Sequence, residues 1–286
     1  MLMAIMNSFK TVVLLGLLTA LLLFVGQLLG GTFGLIIGLV IAIAMNFGSY
    51  WFSDSIILKM YKAKPVSKKE APDLYHMVED VVARAKMPMP KVYIIPSSNP
   101  NAFATGRSPK HSAVAVTRGI LDLLSKHELK GVIAHEISHI RNRDTLIATI
   151  AATIAGVISF IASMAQWAAI FGGFGNNDDD GGNIVQLLVL AILTPIIASL
   201  IQLAISRSRE FMADESAAKI LHDSHGLAGA LRKLEQGSKM QPMQGGNTTT
   251  ASLFIVNPFK AKGLVNLFST HPTVEQRVNR LKNMRF

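Results

Sequence analysis

Residues 132–144 read Val-Ile-Ala-His-Glu-Ile-Ser-His-Ile-Arg-Asn-Arg-Asp, and the five residues from His135 to His139 decide how the chain is organised. Helical positions four apart share a face, so His135 and His139 can reach one ion. Two imidazoles leave a zinc ion in need of a third protein ligand, with a fourth position open for water. Glu136 stands beside the first ligand, where it can take a proton from that water. The stretch has a helical start: Ser125 and Glu128 form a capping-box pattern, followed by Leu129, Val132, Ile133 and Ile137 as one apolar stripe. The alternative is a pair of core histidines that happen to lie four apart.

The surrounding sequence is that of a membrane protein. Half of the 286 residues are apolar, and they concentrate in four runs at 12–29, 33–47, 146–174 and 184–205. A helix needs roughly 20 residues to cross a hydrocarbon core of about 30 Å. The first, third and fourth runs reach that length; the second does so only with Gly48, Tyr50, Trp51 and Phe52 included, its aromatics at the interface. A signal peptide has a shorter apolar core and a small-residue cleavage site, so the start is expected to be a retained hairpin turning near Gly30-Gly31.

The formal charge is +10, yet all 28 Lys and Arg fall at 1–10, 59–143 and 207–286. The loop between the later runs carries Asp178, Asp179 and Asp180 and no base. This is a positive-inside distribution, which places both termini and His135 on the cytosolic side and makes nucleic acid an unneeded explanation of the charge. With no cysteine in the chain, thiolate ligands and disulfides are excluded.

The expected fold is α+β: a mainly helical integral membrane protein with four transmembrane helices and a cytosolic zincin-like domain containing a small β-sheet. Its parts are an N-terminal hairpin (1–52), the first half of the cytosolic domain (53–144), a second hairpin (145–205) and the second half (206–286). Within the first half, a helix starts at Pro72 and strand 91–95 follows. Residues 99–106 read as a turn-rich loop, and 111–117 as a second strand. That strand, at Ala113, Val114, Ala115 and Val116, is either an edge for an extended peptide or an ordinary core strand. Further on, Asp223 or Ser224 caps a helix near 225–236, the stretch 237–250 reads as a mobile loop, and Thr273 with Gln276 forms a second capping box.

His-Glu-x-x-His with Asn142-Arg143-Asp144, then 208–214 (Ser-Arg-Glu-Phe-Met-Ala-Asp), then Ser269-Thr270-His271-Pro272, resembles the HtpX membrane metalloproteases of bacteria, relatives of the CAAX prenyl proteases and of a mitochondrial stress protease. Asn101-Ala102-Phe103-Ala104 is similar to that family's loop before the edge strand, and the resemblance covers essentially the whole chain. It implies Glu210 as third zinc ligand, one zinc per chain, with Asp214 one turn later orienting a ligand imidazole. It also implies His271 as an oxyanion donor, the alternative being a cap of the last helix. Arg277 and Asn101 are candidates for the substrate cleft, against a surface arginine and a loop-holding asparagine. Glu210 lies five residues beyond Ile205, on the order of 10 Å from the end of that run at 1.5 Å per residue.

The resulting expectation is a multi-pass zinc endopeptidase of the bacterial inner membrane with a gluzincin-like site. It would act on misfolded membrane proteins and unfolded chains in quality control under stress, and also cut itself. Two other readings compete. A zinc-holding scaffold would call for a site closed by four protein ligands, and three are found. A prenyl-protein processing enzyme would need a large intramembrane chamber that few spans can build.

Overall fold

The computed structural model describes residues 2–151, 154–155, 158, 207–243, 250, 253–256 and 272–285. The third and fourth apolar runs lie largely outside these residues, as do His271 and residues 244–249; of the loop expected at 237–250, residues 237–240 are instead the last turn of the helix His225–Met240.

The first two runs form one helical hairpin. Helix α1 (Leu2–Met60) is apolar on all sides and doubles back at Gly31, whose φ of +57° suits glycine. Its halves touch backbone to backbone, since a side chain at Gly26 would collide with the Gly34 carbonyl and one at Gly38 with that of Leu22. Asn46 ties them lower down by donating to the Thr19 hydroxyl at 2.8 Å. The stretches Phe9–Gln27 and Gly31–Phe52 are each long and apolar enough to cross a membrane. Their inner faces, at Leu14, Leu18, Leu22 and Ala42, pack on Leu146, Ile147 and Ile150 of the helix that begins at 144. Ile36, Val40, Ile43 and Phe47 point outward, an apolar surface suited to lipid.

Beyond the hairpin comes a small mixed sheet packed on helices. Its strands are β1 (Lys64–Pro65), β2 (Lys91–Ile95), β3 (Ala102–Ser108) and β4 (His111–Thr117), in the order β1-β2-β4-β3. β4 runs parallel to β2 and antiparallel to β3. Two expectations are corrected here. Ala113–Val116 is not an edge: β4 is flanked on both sides and buried, as its Ala/Val composition allows. The stretch expected as a loop is instead largely β3, the outer strand; only Asn99-Pro100-Asn101 turns before it.

Helix α2 (Pro72–Ala85) opens on proline, stops at Lys86 in the left-handed conformation, and buries Leu74, Val78, Val81 and Val82. A short helix α3 (Arg118–Leu123) follows β4. Helix α4 (Lys126–Asn142) has the expected capping box at Ser125 and Glu128, both arms made. Val132, Ile133 and Ile137 are at most 1% exposed, each worth about 1.5–3 kcal/mol of transfer free energy. Helices α5 (Arg207–Leu221), α6 (His225–Met240) and α7 (Val274–Lys282) complete the described elements, with α7 capped at Thr273 and Gln276 as expected. α4 lies at the centre, packed by α5, α6, α2 and β3. At Gly131 it meets the Leu227 backbone too closely for any side chain.

The hairpin contact yields a direct test. Gly34→Val should lower the melting temperature of the purified protein in detergent, overpacking costing about 1–3 kcal/mol. Gly48→Val, at a position with open space, should leave it nearly unchanged.

Candidate metal centre

Helix α4 places His135 and His139 one turn apart, facing α5. Their Nε2 atoms are 3.1 Å apart, and the Glu210 carboxylate approaches them at 3.6 Å from His135 and 3.4 Å from His139. The three ligand atoms all lie within 4.8 Å of one another. Two metal–nitrogen bonds of about 2.0–2.1 Å at a tetrahedral angle set their nitrogens about 3.4 Å apart, so this spacing fits one small ion.

The other ring nitrogens are tied back by carboxylates. His135 Nδ1 lies 2.9 Å from Asp214 Oδ1, and His139 Nδ1 lies 3.1 Å from Asp144 Oδ2. Such pairing fixes the rings and directs both Nε2 lone pairs to the centre. Asp144 can do this because α4 ends at Asn142 and Arg143 adopts φ 60°, turning the chain back toward His139. Asp214 is itself held by Arg277, whose Nε and a terminal nitrogen donate to its two oxygens at 2.8 and 2.7 Å. Arg277 also donates to the Ile255 carbonyl at 3.1 Å and lies 3.3 Å from Glu210.

Charge balance gives a second test of fit. Among the described residues the buried ionisable acids and bases are Glu136, Asp144, Glu210 and Asp214 against Arg209 and Arg277. Four minus charges and two plus charges leave −2 when both imidazoles are neutral, the charge that a divalent cation cancels. Without that cation, protons take its place. Burial opposes charging of both rings, but hydrogen bonds to Asp144 and Glu210 outweigh it and push His139 up to about 10. Those to Asp214 and Glu210 raise His135 likewise. Burial also raises the Glu136 carboxyl, although both histidines and the Ala104 amide, which donates to it, pull the other way. Burial would raise Asp214 too, but Arg277 holds it below the ordinary carboxylate range.

Residues 68–285 match peptidase family M48. The chain belongs to that family. It is 54% identical to a Protease HtpX homolog of Syntrophotalea carbinolica over 98% of this chain and 99% of that one. A Protease HtpX homolog of Pyrococcus furiosus is also 54% identical, over 96% of this chain and 95% of the other. Among solved structures, Ste24p of S. mikatae is similar with a TM-score of 0.53 at 21% identity; the match covers 98% of this chain and 66% of that one, and carries the fold alone. The protein is therefore a membrane-associated M48-type metalloprotease, and its His135, His139 and Glu210 form a group able to hold a metal ion.

The other candidates fall differently. Val114 and Val116 pack in the core against α2 and α4, while Ala113 and Ala115 face the opposite side of the sheet with Phe103. Asn101 is fully buried and donates to the Val256 carbonyl at 2.7 Å, holding the 253–256 segment. Arg277, expected in a cleft or on the surface, is 1% exposed and engaged by Asp214, Glu210 and Ile255. His271 is outside the described residues. Sequence reasoning missed the role of Asp144, although Asp144 stands in the motif itself, and the place of the Ala104 amide beside Glu136.

Asp144→Asn and Asp214→Asn should each weaken metal binding about 10–100-fold in chelator competition while the fold survives. Because both imidazoles have raised pKa values without metal, the ion must displace their protons. Affinity should therefore rise with pH between 6 and 8, by up to about tenfold per unit for each proton released.

Proposed function

We propose that this protein is a zinc-dependent endopeptidase of the bacterial cytoplasmic membrane. Its substrates are misfolded or damaged membrane proteins, cut at their cytosolic segments as part of stress-related quality control, and it also cuts itself. The observation that carries the reading is Glu136: buried, next in sequence to one histidine of the group and one turn from the other, and fixed by the Ala104 amide. His135, His139 and Glu210 would hold a zinc ion, which would supply Lewis acidity toward water and the scissile carbonyl. Glu136 receives the water proton and returns it to the leaving amine; burial raises its pKa toward the range a general base needs. Asp144 and Asp214 keep the imidazoles oriented, and Arg277 keeps Asp214 ionised beside His135.

β3 is the strand of the sheet against which an extended peptide would lie, since it is the outer strand next to α4. Multi-pass topology, with four spans and both termini cytosolic, is supported by the restriction of Lys and Arg to three segments. The similarity of length and sequence to HtpX homologs supports the membrane-quality-control role.

The test uses full-length protein in detergent, stripped with chelator and reloaded with zinc. Wild type should cut casein and itself only after reloading. Glu136→Gln should bind zinc equally well but cut at least about 100-fold more slowly. Loss of zinc in the variant, or equal cutting by both, would sink the assignment of Glu136. Zinc binding with no cutting by wild type would favour a scaffold.

A further inference from the structure

Two chain segments that adjoin the apolar hairpin converge on one feature of the soluble part, the turn joining β3 to β4. The second apolar stretch ends at Phe52, in a cluster where Trp51 lies 5.6 Å from Tyr50 and 5.9 Å from Phe47 between ring centres. Trp51 and Phe52 stay 43% and 55% exposed, as residues of an aromatic belt do. The Arg107 guanidinium, at the end of β3, sits 4.5 Å above the Trp51 ring. At the head of the helix that packs along the hairpin, the Thr145 hydroxyl donates to the Gly106 carbonyl at 3.1 Å, and Thr149 meets Thr105 at 3.2 Å. Gly106 and Arg107 are therefore fixed at the level of the bilayer surface from both sides.

What sets the cations of this turn apart is their place beside Trp51 and Thr145; lack of an ion pair alone is shared, among the described residues, with Lys64, Lys69 and Lys91. Away from the hairpin, Lys68, Arg84, Lys126, Lys130 and Lys233 each sit on a carboxylate. Arg107 and exposed Lys110 have no ion-pair partner among the described residues. The guanidinium over the Trp51 ring has forked N–H donors of the kind that phosphate oxygens accept. The turn itself is closed by local bonds, Ser112 donating to the Pro109 carbonyl and Ser108 bonding His111, so it presents these two cations on a fixed frame.

We propose that the β3–β4 turn, through Arg107 and Lys110, is a contact surface for the headgroups of anionic phospholipids. It docks the catalytic domain on the bilayer at a set height. Ala104, two residues along β3 from Gly106, donates to Glu136, so the base lies on the order of 10 Å from that level at about 3.3 Å per strand residue. This rests on the reading of Phe9–Gln27 and Gly31–Phe52 as membrane spans.

Full-length protein carrying Trp167→Phe leaves Trp51 as the single tryptophan. In detergent micelles it is titrated with phosphatidylglycerol or phosphatidylcholine bearing brominated acyl chains, which quench a tryptophan at the lipid boundary. Phosphatidylglycerol should reach half-quenching at an about tenfold lower mole fraction, as expected for two basic residues near an anionic surface. Lys110→Gln, which leaves the Arg107–Trp51 stack intact, should reduce the preference to about threefold. Arg107→Gln with Lys110→Gln should abolish it, and Lys69→Gln should not change it. Millimolar glycerol phosphate should fail to compete; competition would mean a small-anion site and overturn the lipid assignment. Equal quenching by both lipids would overturn the headgroup surface while leaving the spans in place. No quenching by either would overturn the spans themselves.

Discussion

The constraint on which the structure depends is the burial of ionised groups at the centre of the soluble part. Glu136, Asp144, Glu210, Asp214, Arg209 and Arg277 are all at most 6% exposed. An isolated charge in such surroundings would cost several kcal/mol, so each needs partners held in place. The partners come from four separate stretches: α4 with its exit turn at Asp144, α5, α7 and the 253–256 segment. The packing of α4, α5 and α7 is therefore as much a consequence of this network as its cause. Arg277 is the member that joins most of the others, since it donates twice to Asp214, lies beside Glu210 and donates to the Ile255 carbonyl as well. The net charge of −2 that remains is what gives the cluster its chemistry. A divalent cation would balance it, and without one protons on the imidazoles do so in part.

The membrane hairpin is not a tether on a loose domain. Helix α1 continues past Phe52 to Met60, and Tyr61 then packs into an aromatic group with Phe103 and Phe254, edge to face with the latter at 5.0 Å. Its hydroxyl also bonds Thr250. Phe103 lies on β3 directly between Ala102 and Ala104, so the far end of α1 reaches the strand that supports Glu136. The opposite end of that strand is held by Thr145 and Trp51. β3 is thus fastened at both ends to segments that adjoin the apolar hairpin, and Glu136 is held by the Ala104 amide between them. A soluble zincin would need none of these attachments.

Much of this was legible in the sequence because local chemistry signals it. The capping boxes at Ser125 and Thr273, the proline start of α2, the glycine reversal near residue 31 and the two N-terminal apolar stretches all rest on contacts within a few residues. His135 and His139 share a face through helical period alone. What sequence could not give were the choices made by tertiary pairing. Ala113–Val116 and Ala102–Ser108 are both short, small-residue strands, and nothing local says which is inner; the parallel pairing of β4 with β2 decides it. Asp144 follows a helix end, and only the positive φ at Arg143 turns it onto His139. Arg277 is one of several arginines near the C-terminus, and its burial depends on a carboxylate 63 residues away. Asn101 likewise holds a segment 155 residues distant.

X-ray absorption at the zinc edge, on full-length protein reloaded with one equivalent after chelation, reads the ligands of the ion itself. The expected spectrum has an inner shell of about four nitrogen and oxygen neighbours near 2.0–2.1 Å, with no sulfur and the outer-shell scattering of two imidazoles. Glu210→Ala should lose one oxygen neighbour, and His139→Ala one imidazole. A six-oxygen shell without imidazole scattering, or a wild-type spectrum unchanged by either substitution, would show that the ion sits elsewhere and contradict the assignment of this cluster as the metal centre.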